Sequence, residues 1–156
     1  MELVRISADE SEKLWNMQKE AFADLLARYQ DYDTNPAAEP LSRIQERLAQ
    51  PFTFWYFIRV DGEDAGAVRI VDMKDGSRKR ISPIFVSPGY QGRGLAQQTI
   101  LAAEEIHGKD NWALETILSE PGNCRLYEKM GYHRTGRTEK INERLTLVFY
   151  EKTETV

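Results

Sequence analysis

ISPIFVSPGYQGRGLAQQTILAAEE, residues 81–105, decides how the rest of the chain reads. Ile84, Phe85 and Val86 form a short apolar run of the kind found in a strand buried on both faces. Pro88 and Gly89 stop it. Gln91-Gly92-Arg93-Gly94-Leu95-Ala96 then turns into a helix whose apolar face is expected from Leu95, Thr99, Ala102, Ala103 and Ile106. The glycines remove Cβ atoms that would hold a ligand off the backbone. The first N–H groups of a helix have no intrahelical partner and lie at the positive end of its dipole, so they suit an anion. The stretch reads as a strand, a phosphate-holding turn and an amphipathic helix.

Spacing narrows the kind of phosphate. A P-loop needs a Gly-Lys pair followed by Ser or Thr, which is missing here. The dinucleotide fingerprint is unmet too, because Gln97 stands where its third glycine or alanine belongs. What remains, Val86-Ser87-Pro88 followed by Gln91-x-x-Gly94-x-Ala96, resembles motif A of the GNAT superfamily, the GCN5-related N-acetyltransferases. The resemblance implies acetyl-coenzyme A as co-substrate, its pyrophosphate on the loop amides. It assigns cofactor contacts to Ile84, Phe85, Val86, Gln91, Gly92, Arg93, Gly94, Leu95 and Ala96.

Composition fits an ordinary globular chain. The 156 residues suit a single domain, residues 1–156, and 41% hydrophobic with 29% charged residues is usual for one. Acidic residues outnumber basic ones, 25 to 21, which speaks against a nucleic-acid or anionic-membrane surface and suits a cationic amine. The single cysteine, Cys124, excludes an intrachain disulfide, and two scattered histidines make no metal site. Nothing near the N-terminus reads as a signal peptide and no apolar run approaches a membrane span, so a cytoplasmic location is expected.

Along the chain, Glu2 to Ile6 reads as a strand, and Ser7 with Glu10 as a capping box. Leu14, Met17, Ala21, Phe22, Leu25 and Tyr29 recur at helical spacing, and Leu41, Ile44 and Leu48 suggest a shorter helix ended before Pro51. Phe52 to Val60, Ala65 to Met73 and residues 78 to 86 read as antiparallel strands joined at Asp61-Gly62 and Asp75-Gly76. Pro83 inside the third predicts a bulge or an unpaired side. Trp112 to Leu118 is a strand, Asn123 to Met130 a helix with Gly131 at its C-terminal cap, and two strands close the chain. The order β-α-α-β-β-β-α-β-α-β-β is that of the GNAT fold. The fold class expected is α/β (α+β), a mixed and mostly antiparallel sheet of about seven strands flanked by helices.

A second segment, Leu126-Tyr127-Glu128-Lys129-Met130-Gly131-Tyr132, resembles the LYEKxGF run of many GNAT enzymes. There the tyrosine lies near the thioester sulfur and can protonate the departing thiolate; a buried aromatic would account for Tyr127 as well. Glu115, twelve residues before Tyr127, matches the spacing of a catalytic glutamate in some relatives that act on protein N-termini, and could equally be an exposed strand glutamate. Many relatives carry Asn seven residues before the tyrosine, against the pantetheine arm. Here that residue is Glu120, and Asn123 either takes over the contact or caps the helix. The loop with Asp31, Asp33 and Glu39 borders the acceptor side in the family and would attract a cation or simply be solvated. Arg93 could approach a phosphate, while His107 suits a helix C-terminus. Cys124 reads as a packed helix residue and not as a covalent carrier.

These features point to an acetyl-coenzyme A-dependent N-acetyltransferase working by direct attack of a primary amine in a ternary complex. The other reading is a non-catalytic acyl-coenzyme A sensor. Expected partners are a small-molecule or peptide amine, with no nucleic acid and no membrane, and a homodimer is compatible with the family.

Overall fold

The computed structural model describes residues 1–153. Strand β1 (Glu2–Arg5) leads through a 3-10 turn at Ala8–Glu10 into α1 (Ser11–Tyr29), and a second 3-10 turn, Pro36–Ala38, precedes α2 (Leu41–Leu48). The capping box is formed as expected: the Ser7 N–H donates to the Glu10 carboxylate at 3.0 Å. Then come β2 (Thr53–Val60), β3 (Glu63–Val71), β4 (Lys79–Val86), α3 (Leu95–His107), β5 (Trp112–Ile117), α4 (Pro121–Lys129), β6 (His133–Asn142) and β7 (Leu145–Lys152). Seven strands form one sheet in the order β1-β2-β3-β4-β5-β7-β6, and β4–β5 is its parallel pair.

Alternation along β2 assembles two cores. Trp55 and Phe57 point to one face and meet Leu14 of α1 and Ile44 of α2. Tyr56 points to the other and joins Ile100 and Ala103 of α3 with Cys124 and Tyr127 of α4. The central strands are therefore apolar on both faces, which explains why their sequences read as continuous hydrophobic runs. The β2–β3 turn has left-handed backbone at both Asp61 and Gly62, matching the twist of a two-residue hairpin.

Pro83 behaves as its chemistry requires. The β3–β4 register shifts between Val68 and Ile70, opposite the Ser82-Pro83 step, whose peptide bond is cis. On its other side β4 pairs with β5 at Lys79↔Trp112 and Arg80↔Ala113, and the two strands part after that.

Three expectations need correction. The apolar face of α3 is Leu95, Thr99, Ile100 and Ala103, while Ile106 is 53% exposed, because at the last turn it is His107 that points inward, against Phe54, Tyr56 and Trp112. Asn123 is not a helix cap: Pro121 fills the first helical position, where its missing N–H costs nothing, so α4 starts earlier. His107 does lie in the last turn of α3, where the dipole favours a cation, but it is a buried ring between Asp72 and Tyr56, 2.8 Å from each. Burial, partly opposed by Asp72, lowers its pKa, so the ring is neutral.

Gly66 sets how closely β3 and β4 approach. A Cβ there would lie 2.2 Å from the Phe85 carbonyl oxygen, a backbone atom that cannot swing aside. Gly66→Ala is expected to destabilise the fold by about 1–3 kcal/mol, the usual range for forced overpacking. Urea denaturation checks this, and an unchanged midpoint would mean the two strands can separate freely.

Candidate active site

The gap between β4 and β5 exposes backbone. The Ser87 N–H donates to the Ala65 carbonyl at 2.8 Å, so by antiparallel alternation Phe85 faces β3 and the polar groups of Ile84 and Val86 face the gap. The Gln91 side chain confirms that direction, since its Nε2 donates to the Val86 carbonyl at 3.1 Å. That bond ties the loop to the strand end.

The loop itself is shaped by two left-handed glycines, Gly92 at φ +81° and Gly94 at φ +73°. Gly94 is the N-cap of α3, and the first intrahelical bond runs from the Gln98 N–H to its carbonyl at 3.2 Å. The N–H groups of Leu95, Ala96 and Gln97 are thus left to the space in front of the helix. No atom would contact a Cβ at either glycine, so they are needed for backbone conformation and leave open room beside the amides.

A cleft of about 700 Å³ joins this loop to α1 and α4. Ile84, Phe85, Val86, Gln91, Gly92, Gly94, Leu95, Ala96 and Asn123 all line it. Arg93 does not; it is exposed, with its guanidinium 5.2 Å from the Tyr90 ring centroid. Phe85 turns most of its ring toward α1, edge-on to Phe22 at 5.7 Å. A second cavity, about 410 Å³, lies on the other side of the gap and contains Arg80, Glu115 and Phe149. Leu25, Ile84, Asn123 and Tyr127 belong to both.

Tyr127 stands at that junction because of how α4 ends. Gly131, at φ +94°, lets the Tyr132 N–H return to the Tyr127 carbonyl at 3.0 Å and its own N–H to Glu128 at 3.1 Å. Tyr132 then packs edge-on against Tyr127, centroids 6.1 Å apart. The phenol is 7% exposed. Burial, and after it the neighbouring Cys124, push its pKa well above the ordinary value, so it keeps its proton at neutral pH. Cys124 is packed in the same core, Sγ 3.9 Å from the Ile117 carbonyl.

Glu115 is in the second cavity, not the first, and is held there by Arg80, whose Nη2 lies 2.6 Å from each carboxylate oxygen. Arg80 was not foreseen, since it is thirty-five positions away and adjacent only through the start of the β4–β5 pair. A second unforeseen group explains Glu120. Arg28 donates to it at 3.0 and 3.3 Å and the Tyr29 hydroxyl at 2.6 Å, clamping the end of α1 to the start of α4. Arg28, then Tyr29, holds the Glu120 pKa below its usual value. The acidic loop is largely committed as well: Asp31 accepts N–H bonds from Asp33 and Thr34 at 3.2 and 2.9 Å, and Glu39 meets Arg47 at 2.8 Å. No group of His, Cys, Asp and Glu fit for a metal occurs among the described residues. No helix among them is long and apolar enough to cross a membrane.

Residues 13–132 match the acetyltransferase (GNAT) family. The chain belongs to that family. An uncharacterised N-acetyltransferase from Lactobacillus delbrueckii subsp. lactis is 27% identical over an alignment of 122 positions, with 67% of this chain and 66% of that protein covered. The chain thus spans just under two thirds of that relative's length. Solved GNAT structures share the fold. A spermidine N-acetyltransferase chimera of the Vibrio cholerae enzyme superimposes with a TM-score of 0.73 at 17% identity, covering 97% of this chain and 96% of that one. The aminoglycoside acetyltransferase AAC(6')-Ib, in complex with ribostamycin and coenzyme A, gives 0.72 at 19% identity, covering 98% and 93%. The microcin C7 self-immunity acetyltransferase, in complex with acetyl-CoA and AMP, gives 0.73 at 13%, covering 97% and 91%.

The left-handed glycines are poor positions at which to test this GNAT loop, since any side chain there is strained. Ala96 is better. Ala96→Glu places a carboxylate in the first helical turn, where helices favour acidic groups, but also in the cleft, in front of the unpaired amides that begin α3. Coenzyme A affinity by calorimetry is expected to fall by about tenfold or more with the melting temperature kept. Undiminished affinity would remove the loop from the cofactor site.

Proposed function

We propose that this GNAT chain forms a single catalytic domain that transfers acetyl from acetyl-coenzyme A to a primary amine by direct attack in a ternary complex. The observation that carries the reading is the continuity of the two cavities at Tyr127 across the β4–β5 gap. In this reading the pyrophosphate rests on the amides of residues 92–97 and the pantetheine arm lies along Ile84–Val86, beside Asn123. The thioester is then delivered to the gap, and the acceptor enters from the second cavity.

Each chemical demand has a group nearby. The outward N–H of Val86 or Ile84 stabilises the oxyanion formed when the amine adds to the thioester. Tyr127, kept protonated by burial, donates its proton to the leaving thiolate. Glu115 takes the proton from the incoming ammonium. One Arg80 nitrogen touches both its oxygens, which orients the carboxylate and leaves lone pairs on each for the amine or a bridging water. Relatives with spermidine or an aminoglycoside in their names fit an amine acceptor in general, and the loop at Asp31 and the wall at Phe149 bound where it would sit.

Tyr127→Phe is expected to lower kcat by at least about tenfold while acetyl-coenzyme A affinity is nearly kept. Thiol release in the presence of an amine panel measures it, and unchanged turnover would return Tyr127 to a packing role. Cofactor binding with no thiol release from any amine would favour the sensor reading.

Glu115→Gln keeps shape and removes the base. An acid-side pH dependence of kcat/KM that disappears in the variant, with kcat down by about tenfold or more, is the expected result. If the profile is unaltered, a water chain does the deprotonation.

A further inference from the structure

The far end of α3 borders a cavity of about 610 Å³ that plays no part in the scheme above. The cleft lies at Gly94 and this cavity at Ile106 and His107, so a helix of 13 residues, about 20 Å, separates them. Three cations converge on it: Arg5, Lys74 and Lys79. The Arg5 guanidinium lies 4.5 Å from the Phe54 ring centroid, and the Lys74 ammonium 4.9 Å from the same ring. Lys79 is 9% exposed, and its Nζ donates to a neutral acceptor, the Asp110 carbonyl, at 2.7 Å. None of the three forms an ion pair with a carboxylate among the described residues, although many other lysines and arginines do, such as Lys13 with Asp64 and Lys152 with Glu104.

The two carboxylates of the cavity, Asp72 and Asp110, offset part of this charge, but neither forms an ion pair with any of the three cations. Asp72 is occupied: one oxygen accepts the Lys74 N–H at 3.0 Å and the other faces His107 Nδ1 at 2.8 Å. With the ring neutral, Nδ1–H donates to Asp72 and Nε2 accepts the Tyr56 hydroxyl, so the imidazole adds no charge of its own. Asp110 contributes its backbone to Lys79 and its side chain is exposed. The negative end of α3 carries about half a charge and offsets part of one cation, not three. Of the three cations only Lys79 is buried, and the lining keeps an excess of positive over negative groups that an added anion would offset.

We propose that this cavity binds a small phosphoryl-type dianion, at a site separate from the cofactor cleft. A tetrahedral group matches donors arriving from three directions, whereas a planar carboxylate meets two. The Arg5 guanidinium stacks over Phe54 and donates one N–H to the Thr53 carbonyl at 3.3 Å, which leaves its other N–H groups for an anion. Lys79 forms the floor and Lys74 the exposed rim. Because Lys79 and Arg80 are the two β4 residues paired with β5, the ligand would sit directly behind the Arg80–Glu115 pair.

Inorganic phosphate is the probe, titrated calorimetrically at low ionic strength into the full chain, with and without saturating coenzyme A. Saturable binding with Kd below about 1 mM is expected, unaffected by coenzyme A. Lys79→Met should weaken it by about tenfold or more, and Lys74→Gln and Arg5→Gln each by about threefold or more. Should Lys79→Met fail to fold, the two exposed positions decide. No saturable binding up to about 10 mM would overturn the proposal. So would phosphate binding that coenzyme A displaces and that ignores all three substitutions, since the ion would then lie in the α3 N-terminal loop.

Discussion

Two paired residues hold β4 and β5 together, and everything that matters for the site follows from their parting afterwards. Lys79 and Arg80 share backbone bonds with Trp112 and Ala113; beyond them each strand keeps its other neighbour and loses this one. An open seam in a sheet leaves N–H and C=O groups without partners, which a folded chain ordinarily avoids. Here the seam is kept open by the Pro83 irregularity on one side and by the firm pairing of β5 with β7 on the other. A groove with polar backbone walls is the result, and it runs through the protein between the two cavities.

The surrounding elements serve to keep that seam in register. Gly66, having no Cβ, lets β3 approach the Phe85–Val86 backbone of β4 closely. Gln91 ties the loop to the Val86 carbonyl, and the Arg28–Glu120–Tyr29 clamp fixes the roof formed by α1 and α4. The clamp also accounts for Glu120, which lines the cleft but is engaged by α1, whereas Asn123, one turn further into α4, lines both cavities. Burial does the remaining work. It keeps Tyr127 protonated on one side of the sheet's α3–α4 core and His107 neutral at the other end of the same core.

Much of this was legible in the residue order because it rests on local rules. The aromatic and β-branched run from Phe52 to Val60, the capping box at Ser7, the Asp61-Gly62 hairpin, the glycine spacing around Gly94 and the misplaced Pro83 each act within a few residues of themselves. Together they define the order of elements, the family and the strand that must be irregular. The motif at Tyr127 was equally local, since the turn that places it is completed by Gly131 and Tyr132.

Tertiary structure alone decided which charges meet. Arg80 and Glu115 are 35 positions apart, Arg28 and Glu120 are 92, and Asp72 and His107 are 35. No periodicity encodes such pairs, because the direction of a long side chain depends on what packs beside it. For the same reason the sequence could assign Ile106 to a buried face and a cation to His107, when packing exposes Ile106 and buries a neutral His107. Local chemistry determined the elements and the loop that can hold a phosphate. Long-range packing determined which carboxylates are already spoken for, and so what the cavities have left to offer a ligand.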